Sequence, residues 1–239
     1  MAKAVKRRSY DSPLRADQAR LTSRAIVSAA AALFGEKGYA AVSLDAVAEL
    51  AGVSRATVFT SVGGKAALLK DAFGLAFGRA AGAPDQSMPL VDRPRSREIR
   101  ARPDARDYLA GYAGLCTALH RHMAGVYEAI REGAHADAEV GALWVDVNAE
   151  RRRGAATIVA DVKARAPLRA DLDDDEAADV VWVLNDPVHF HMLVTGRRWS
   201  EEKFEKWLTR ALEAELLGGE RASVGGHAGR DDPGGERGH

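Results

Sequence analysis

The segment from Ser43 to Lys65, SLDAVAELAGVSRATVFTSVGGK, constrains the fold more than any other part of the chain. Apolar residues recur at helical spacing as far as Ala51, which predicts a short amphipathic helix. Gly52 then supplies a residue that tolerates the left-handed backbone of a helix end, and the Ser54 hydroxyl can cap the next helix. Two short helices joined this tightly form a helix-turn-helix, whose second helix can enter the major groove of DNA.

The charge distribution favours a polyanionic partner at one end of the chain. The 239 residues include 34 Lys and Arg and 34 Asp and Glu, so the formal net charge is zero. Residues 1–80 nevertheless hold 12 of the basic and 6 of the acidic residues, a net charge of +6 that the remainder balances at −6. A basic N-terminal domain on an acidic body is consistent with a nucleic-acid partner at the N-terminal end.

Composition bounds the class of protein further. Hydrophobic residues make up 46% of the chain, which is ample for a buried core. Cys116 is the single cysteine, so an intramolecular disulfide and a multi-cysteine zinc site are excluded. No apolar run approaches the ~20 residues of a membrane span, and the polar N-terminus lacks the apolar core of a secretory signal. We therefore expect a cytoplasmic protein with no membrane partner.

Helical periodicity extends over most of the chain, and no strand pattern is longer than a few residues. Thr22 or Ser23 can cap a first helix that Gly38 ends, and Lys65 opens a fourth helix. The sequence predicts an all-α chain in four parts: a flexible basic arm at 1–20, a helix-turn-helix domain at 21–80, a larger helical domain at 81–217 and a disordered tail at 218–239.

Several finer expectations concern the larger domain. A break near Gly125 divides the helix that begins after Asp104, and Asp186-Pro187 interrupts a later helix. The run from Arg151 to Arg153 forms an exposed helix face. A second group of arginines also forms a solvated face: Arg93, Arg95, Arg97, Arg100 and Arg102.

Three segments of the N-terminal domain carry a family resemblance: AAALFGEKGY at 30–39, SLDAVAELAGVS at 43–54, and TVF at 57–59 with KAALL at 65–69. They closely resemble the DNA-binding domain of the TetR family of bacterial transcriptional regulators, over roughly residues 20–75. The resemblance implies an all-α, two-domain homodimer. Its larger domain at 81–217 would dimerise and bind a small molecule.

The resemblance also implies DNA contacts, which the chemistry of the side chains supports. An arginine can form two hydrogen bonds to guanine, and the methyl groups of Ala or Thr can meet thymine. The amide-rich start of a helix suits a phosphate. The implied contacts are base edges for Arg55, Ala56 and Thr60, phosphates for Thr57, Ser61 and Lys65, and backbone near the caps Ser43 and Ser54. Phe59 either packs inward or lies against the DNA backbone.

Three positions depart from the family pattern. The family usually has Tyr in place of Phe59, His or Tyr in place of Ser61, and a capping Ser, Asn or Asp in place of Gly64. These changes remove a phenolic donor and shorten a side chain. They imply fewer contacts with the DNA backbone, a loss that the basic arm can partly offset.

A stripe of side chains at helical spacing in the larger domain either lines a ligand cavity or belongs to the ordinary core. A buried Asn185 or His189 needs hydrogen-bond partners, and a ligand could supply them. The candidate ligand-binding residues are Tyr112, Cys116, His120, Met123, Tyr127, Trp144, Trp182, Asn185 and His189.

The helix predicted at 174–184 is apolar on nearly every side, so it should be buried on more than one face. Together with the helix from Ser200 to Leu217 it would form a four-helix bundle across a homodimer. The predicted interface residues are Val181, Leu184, Phe204, Trp207, Leu208 and Ala211.

Other classes of site find little support in the sequence. The pairs His120/His122 and His189/His191 have a spacing of two, which places their side chains on different faces of a helix, so we expect no metal site. No glycine-rich phosphate motif, zinc motif or serine elbow is present. We therefore expect no cofactor and no enzymatic activity.

The sequence as a whole predicts a homodimeric repressor that binds a palindrome-like operator in double-stranded DNA and is released by a small-molecule effector. An activator, or a regulator without a ligand, is the alternative among DNA-binding proteins. A helical carrier or enzyme that has lost DNA binding is the alternative from another class, and the departures at Phe59, Ser61 and Gly64 favour it.

Overall fold

The computed structural model describes residues 13–80 and 90–217. Every regular element in these ranges is helical, which confirms the predicted all-α class. The α-helices are α1 Pro13–Lys37, α2 Leu44–Ala51, α3 Arg55–Val62, α4 Lys65–Ala80, α5 Pro94–Arg100, α6 Ala105–Gly133, α7 Ala138–Lys163, α8 Asp174–Leu184, α9 Pro187–Phe190 and α10 Glu201–Leu216. A 3₁₀ turn at Leu90–Asp92 precedes α5, and a π-helical turn at His191–Gly196 follows α9. Within the described ranges, no helix is long and apolar enough to span a membrane.

The first helix is longer than its sequence indicated. It begins at Pro13, not at Thr22 or Ser23, so residues 13–20 of the predicted arm are helical. Residues 1–12 of that arm, and the predicted disordered tail, lie outside the described residues. Thr22 is not a cap, because its hydroxyl donates 3.0 Å to the carbonyl oxygen of Gln18 one turn earlier. Such back-bonding lets a threonine sit within a helix.

Helix α6 is the centre of the molecule and packs against α1, α4, α5, α7, α9 and α10. The predicted break near Gly125 is wrong, since α6 is continuous through it. Gly125 instead marks a close crossing with α1, where an added Cβ would lie 2.6 Å from the carbonyl oxygen of Gly35. The glycine therefore permits two helix backbones to touch.

The C-terminal helices follow their sequence signals. Asp173 and Glu176 form a capping box at the start of α8. The predicted interruption is confirmed, because α8 ends at Leu184 and Pro187 opens α9. The Ser200 hydroxyl accepts a hydrogen bond from the backbone amide of Lys203 and begins α10.

The arginines around α5 form the predicted solvated face only in part, because Arg95, Arg97 and Arg100 are exposed whereas Arg93 is buried and Arg102 is half-buried. Arg93 is only 3% exposed, and its guanidinium lies over the ring of Phe77. Arg100 forms a bidentate ion pair with Asp161 of α7. These side chains hold α5 against the body of the protein, and Arg97 is among those that remain exposed.

Candidate DNA-binding and ligand-binding sites

Both short helices of the N-terminal pair are capped as their sequence predicts. The Ser43 hydroxyl accepts a hydrogen bond from the backbone amide of Ala46 at 3.1 Å, and the Ser54 hydroxyl accepts one from Thr57 at 3.1 Å. Between the helices, Gly52 has a φ of +68°, the left-handed conformation that glycine adopts without strain. This local chemistry fixes the angle at which α3 leaves the turn.

Helix α3 presents one buried face and one exposed face. Val58 is fully buried, as expected of an inward residue. Arg55, Ala56 and Thr60 are exposed, so the three side chains predicted to meet bases share an accessible surface. Phe59 is 61% exposed, which leaves its ring available to a partner instead of the core.

The guanidinium of Arg55 pairs with the carboxylate of Asp45 at 3.1 Å, and both side chains are 65% exposed. An exposed pair of this kind contributes little to stability. It therefore leaves Arg55 able to exchange its partner for a base edge.

The predicted phosphate contacts lie at the ends of α3 and the start of α4. Thr57 is half-buried and its hydroxyl lies 2.8 Å from that of Ser54, whereas Ser61 is exposed. The Lys65 ammonium lies 4.2 Å from the centre of the Tyr39 ring, and it donates to the carbonyl oxygen of Ala40 at 3.4 Å. Burial lowers the pKa of Lys65, an effect that nearby carboxylates oppose.

Tyr39 joins the helix-turn-helix to the rest of the chain. Its backbone amide donates to Glu132 at 3.0 Å, and its hydroxyl donates to Asp137 at 2.6 Å. The hydrogen bond from Tyr39 lowers the pKa of Asp137. Both acids lie near the junction of α6 and α7, so this contact locks the turn after α1 onto the body.

A cavity of about 600 Å³ lies between α4, α5, α6 and α7, with Pro187 of α9 also in its wall. This volume is within the range of about 300–1,000 Å³ typical of small-molecule sites. Five of the nine residues predicted to bind a ligand lie in its wall: Tyr112, Cys116, His120, Met123 and Asn185. The other four lie outside it: Tyr127, Trp144, Trp182 and His189.

Helices α4, α5 and α7 contribute residues to this wall that the sequence pattern does not predict. Gly74, Phe77 and Gly78 line it from α4, and no atom lies within 4 Å of a Cβ built on Gly74. Two glycines four residues apart on one helix face leave room that larger side chains would fill. This spacing is the feature of the sequence that indicates a cavity beside α4. Other wall residues that were not predicted include Ser96, Ile99, Tyr108, Leu115 and Ile158.

A chain of polar side chains runs along the inner wall of the cavity. The side-chain amide of Asn185 donates to the Tyr112 hydroxyl at 2.7 Å, and Asn185 raises the pKa of the His120 ring against the larger effect of burial. His120 is only 3% exposed, and burial lowers its pKa to about 3. Its Nδ1 has no hydrogen-bond partner among the described residues, and neither does the Ser96 hydroxyl. Burial also raises the pKa of Cys116 to about 12, so this thiol is not a reactive thiolate.

The Arg151–Arg153 run is not a uniformly exposed face. The Arg151 side chain is only 11% exposed, and it pairs with Asp186 at 3.0 Å. It also donates to the Tyr127 hydroxyl at 3.1 Å and to the carbonyl oxygen of Trp182 at 2.8 Å. Only Arg153 lies on the open surface, so the prediction for this run was largely wrong.

Only some of the residues predicted to form the dimer interface have accessible surface in the protomer. Val181, Phe204 and Leu208 are fully buried inside a single protomer, so they have no surface to offer a partner. The half-buried residues of the predicted set are Leu184, Trp207 and Ala211. Val183, which was not predicted, is 50% exposed on α8.

The first of the two histidine pairs separates as its spacing predicts. His120 is buried whereas His122 is exposed on the same helix. In the part of the chain that the structure describes, no three His, Cys, Asp or Glu side chains are placed to hold a metal ion together.

The fold and the N-terminal site define the class of protein, a helical protein with an N-terminal helix-turn-helix. Residues 26–72 match the model of the bacterial regulatory proteins of the tetR family. This match covers the helix-turn-helix and its flanking helices, so residues 26–72 resemble the DNA-binding domain of that family.

Solved structures share the fold over most of the chain. A protein assigned as a transcriptional regulator from Saccharomonospora viridis, in complex with choline, is 22% identical, with a TM-score of 0.62 over 82% of this chain and 98% of its own. A TetR-family protein from Rhodococcus is 18% identical, with a TM-score of 0.61 and the same coverage of both chains. A third from Mesorhizobium loti is 20% identical, with a TM-score of 0.60 over 82% of this chain and 96% of its own. No curated protein matches the chain.

Proposed function

We propose that the chain is a homodimeric repressor that occupies a palindrome-like operator and leaves it when a small molecule enters the cavity. The observation that carries the proposal is the course of α4. This helix begins at Lys65, directly after α3, and Gly74, Phe77 and Gly78 of the same helix line the cavity. One rigid element therefore connects the proposed ligand site to the proposed DNA site.

The coupling requires a ligand that binds one position of α4 better than another. A cavity occupant that displaces α4 would move α3 with it, and in a dimer this changes the distance between the two recognition helices. A differential affinity of ~1–3 kcal/mol would weaken operator binding by roughly 5–150-fold. This magnitude is sufficient for a transcriptional switch.

The DNA interface would be formed by the exposed face of α3 and by the start of α4. Arg55 supplies the paired donors that guanine accepts, and its present partner Asp45 is exposed and readily replaced. Thr57, Ser61 and Lys65 would hold phosphates and set the register of the helix on the duplex. The net charge of +6 on residues 1–80 supports this placement of the polyanion.

The dimer would form through α8 and α10. Apolar side chains with accessible surface on these helices support the contact, among them Val183, Leu184, Trp207 and Ala211. The structural relative from Saccharomonospora viridis in complex with choline supports the general idea that a small molecule binds this fold.

Selection of binding sites from random DNA duplexes tests the proposal. The full chain, an Arg55→Ala variant and an Arg153→Ala control would each be used at two salt concentrations. Arg153 is a matched control because it is an exposed arginine on α7, outside the helix-turn-helix. We expect the wild type and the control to enrich one palindrome that survives higher salt.

Arg55→Ala should enrich the palindrome more weakly and lose the preference at the base pair that Arg55 contacts, but retain salt-sensitive binding to phosphates. Binding without any enriched sequence would contradict the proposed function and favour a carrier that has lost DNA recognition. An operator that no cavity ligand affects would leave a DNA-binding protein but contradict ligand release.

A further inference from the structure

Two buried polar atoms in the wall of the cavity are without partners. They are the Oγ of Ser96 on α5 and the Nδ1 of His120 on α6, and these residues are 6% and 3% exposed. Neither atom has a hydrogen-bond partner among the described residues. Buried polar atoms of native proteins nearly always have one, so an unpaired atom in a cavity wall indicates a partner supplied from outside the chain.

The surroundings of His120 fix which kind of partner it needs. One N–H of the Asn185 amide is used by the Tyr112 hydroxyl at 2.7 Å. Asn185 raises the pKa of the His120 ring, the direction expected when an amide oxygen stabilises a ring N–H. Burial keeps the imidazole neutral, so it carries one N–H and one acceptor nitrogen. We assign the N–H to Nε2, so the unpaired Nδ1 is the acceptor and requires a donor.

Four of the five charged side chains in the wall form ion pairs, and the fifth, Arg93, lies over the Phe77 ring. The ion pairs are Arg100–Asp161, Arg153–Glu150 and Arg151–Asp186. A charged ligand that paired with any of these four side chains would have to break an existing ion pair, which is costly. An uncharged ligand does not meet this cost.

One aromatic ring of the wall is already covered by a cation. A quaternary ammonium such as choline is bound on the open faces of aromatic rings. Here the guanidinium of Arg93 lies 5.6 Å from the centre of the Phe77 ring. That ring is therefore less available to a cation of the kind found with the Saccharomonospora relative.

Building on the proposed function, we propose that the cavity selects an uncharged, mainly apolar molecule with a hydrogen-bond donor, such as a hydroxyl, that pairs with His120 Nδ1. Ser96 Oγ is the second polar contact. Apolar side chains such as Phe77, Leu115 and Ile158 surround the rest of the molecule.

A matched series of probes tests this selectivity. The probes are 1-decanol, its methyl ether, decanoate and decyltrimethylammonium, the neutral pair below its solubility limit and the charged pair below its critical micelle concentration. They offer a similar apolar chain with a donor, without a donor, with a negative charge and with a positive charge. Choline is added as a cation without the apolar chain. Affinity for the full chain is measured by isothermal calorimetry and by the shift of the thermal unfolding midpoint.

We expect 1-decanol to bind about three- to tenfold more tightly than its methyl ether, because only the alcohol can donate to Nδ1. Decanoate, decyltrimethylammonium and choline should bind more weakly than either. His120→Phe should bring the alcohol-to-ether ratio to about one. Met123→Leu, an apolar change in the same wall, should retain the ratio.

Equal binding of alcohol and ether by the wild type would overturn the inference, and so would a charged probe that binds as tightly as the alcohol. The wild-type series needs no variant, so the test holds even if His120→Phe does not fold. Decanol binding that leaves DNA affinity unchanged would contradict ligand release but not this inference. Release from DNA by a charged probe alone would support the proposed function and refute the inference.

Discussion

Lowering the pH from 7 to 5 should destabilise the fold through one residue, His120. This imidazole is nearly completely buried, and its pKa falls from the ordinary 6.5 to about 3. Burial is the main cause, and the positive charge of Arg151 adds to it. Asn185 acts in the opposite direction, and His189 contributes a smaller lowering effect.

The sign and size of the effect follow from proton linkage. Between the two pKa values, the unfolded chain binds a proton at His120 that the folded chain does not. The free energy of unfolding therefore falls as the pH falls below the unfolded value of 6.5. At 1.36 kcal/mol per pH unit, the loss between pH 7 and pH 5 is about 2 kcal/mol.

Urea unfolding followed by circular dichroism measures this loss at fixed protein concentration, for the wild type and for His120→Phe. The phenylalanine variant retains an aromatic ring beside Phe190 and Phe204, which the imidazole contacts edge-on. The difference in stability between the two proteins should change by about 2 kcal/mol between the two pH values. His122→Gln, at an exposed position on the same helix, is the matched control and should follow the wild type.

A constant difference between wild type and His120→Phe from pH 7 to pH 5 would refute the reasoning. It would mean that His120 is protonated in the folded protein with little penalty. In that case His120 could not be treated as a buried, neutral hydrogen-bond acceptor in the cavity wall.

Three further perturbations have defined outcomes. Arg55→Ala should weaken operator binding by ~1–3 kcal/mol in a mobility-shift assay, and an equal loss on random DNA would reduce its role to a phosphate contact. Gly125→Ala should lower the free energy of unfolding by ~1–3 kcal/mol in urea, because its Cβ would lie 2.6 Å from a backbone oxygen of α1. Gly154→Ala is its control, since no atom lies within 4 Å of the added carbon, and a similar loss there would contradict the packing argument. Tyr39→Phe should cost about 1 kcal/mol in the same assay by removing the hydrogen bond to Asp137, and unchanged stability would show that this bond is not formed in solution.

Local chemistry explains which features the sequence could predict. The caps at Ser43 and Ser54 and the left-handed Gly52 depend on hydrogen bonds and dihedral angles within a few residues, so the pattern predicts them correctly. The interruption at Pro187 is local in the same way, because proline has no amide hydrogen to continue α8.

Features that depend on distant partners could not be predicted in this way. Arginine is usually a surface residue, yet the Arg93 side chain is buried against the Phe77 ring and the Arg151 side chain is buried in an ion pair with Asp186. Gly125 has the local signature of a helix break, but α6 continues through it. Its role is set by Gly35, which lies 90 residues earlier in the chain.

The same contacts indicate which helix can transmit a change from the cavity. Helix α1 is held to α6 by the backbone crossing at Gly35 and Gly125. The turn that follows α1 is held in place by the hydrogen bonds of Tyr39. A crossing between backbones cannot adjust by a change of side-chain rotamer, so α1 and α6 should move together. Helix α4 meets the cavity through Phe77 and two glycines, one of which faces open space. Under the proposed function, α4 is therefore the helix that has room to move. Because α1 and α6 stay fixed relative to each other, a movement of α4 would be transmitted to α3.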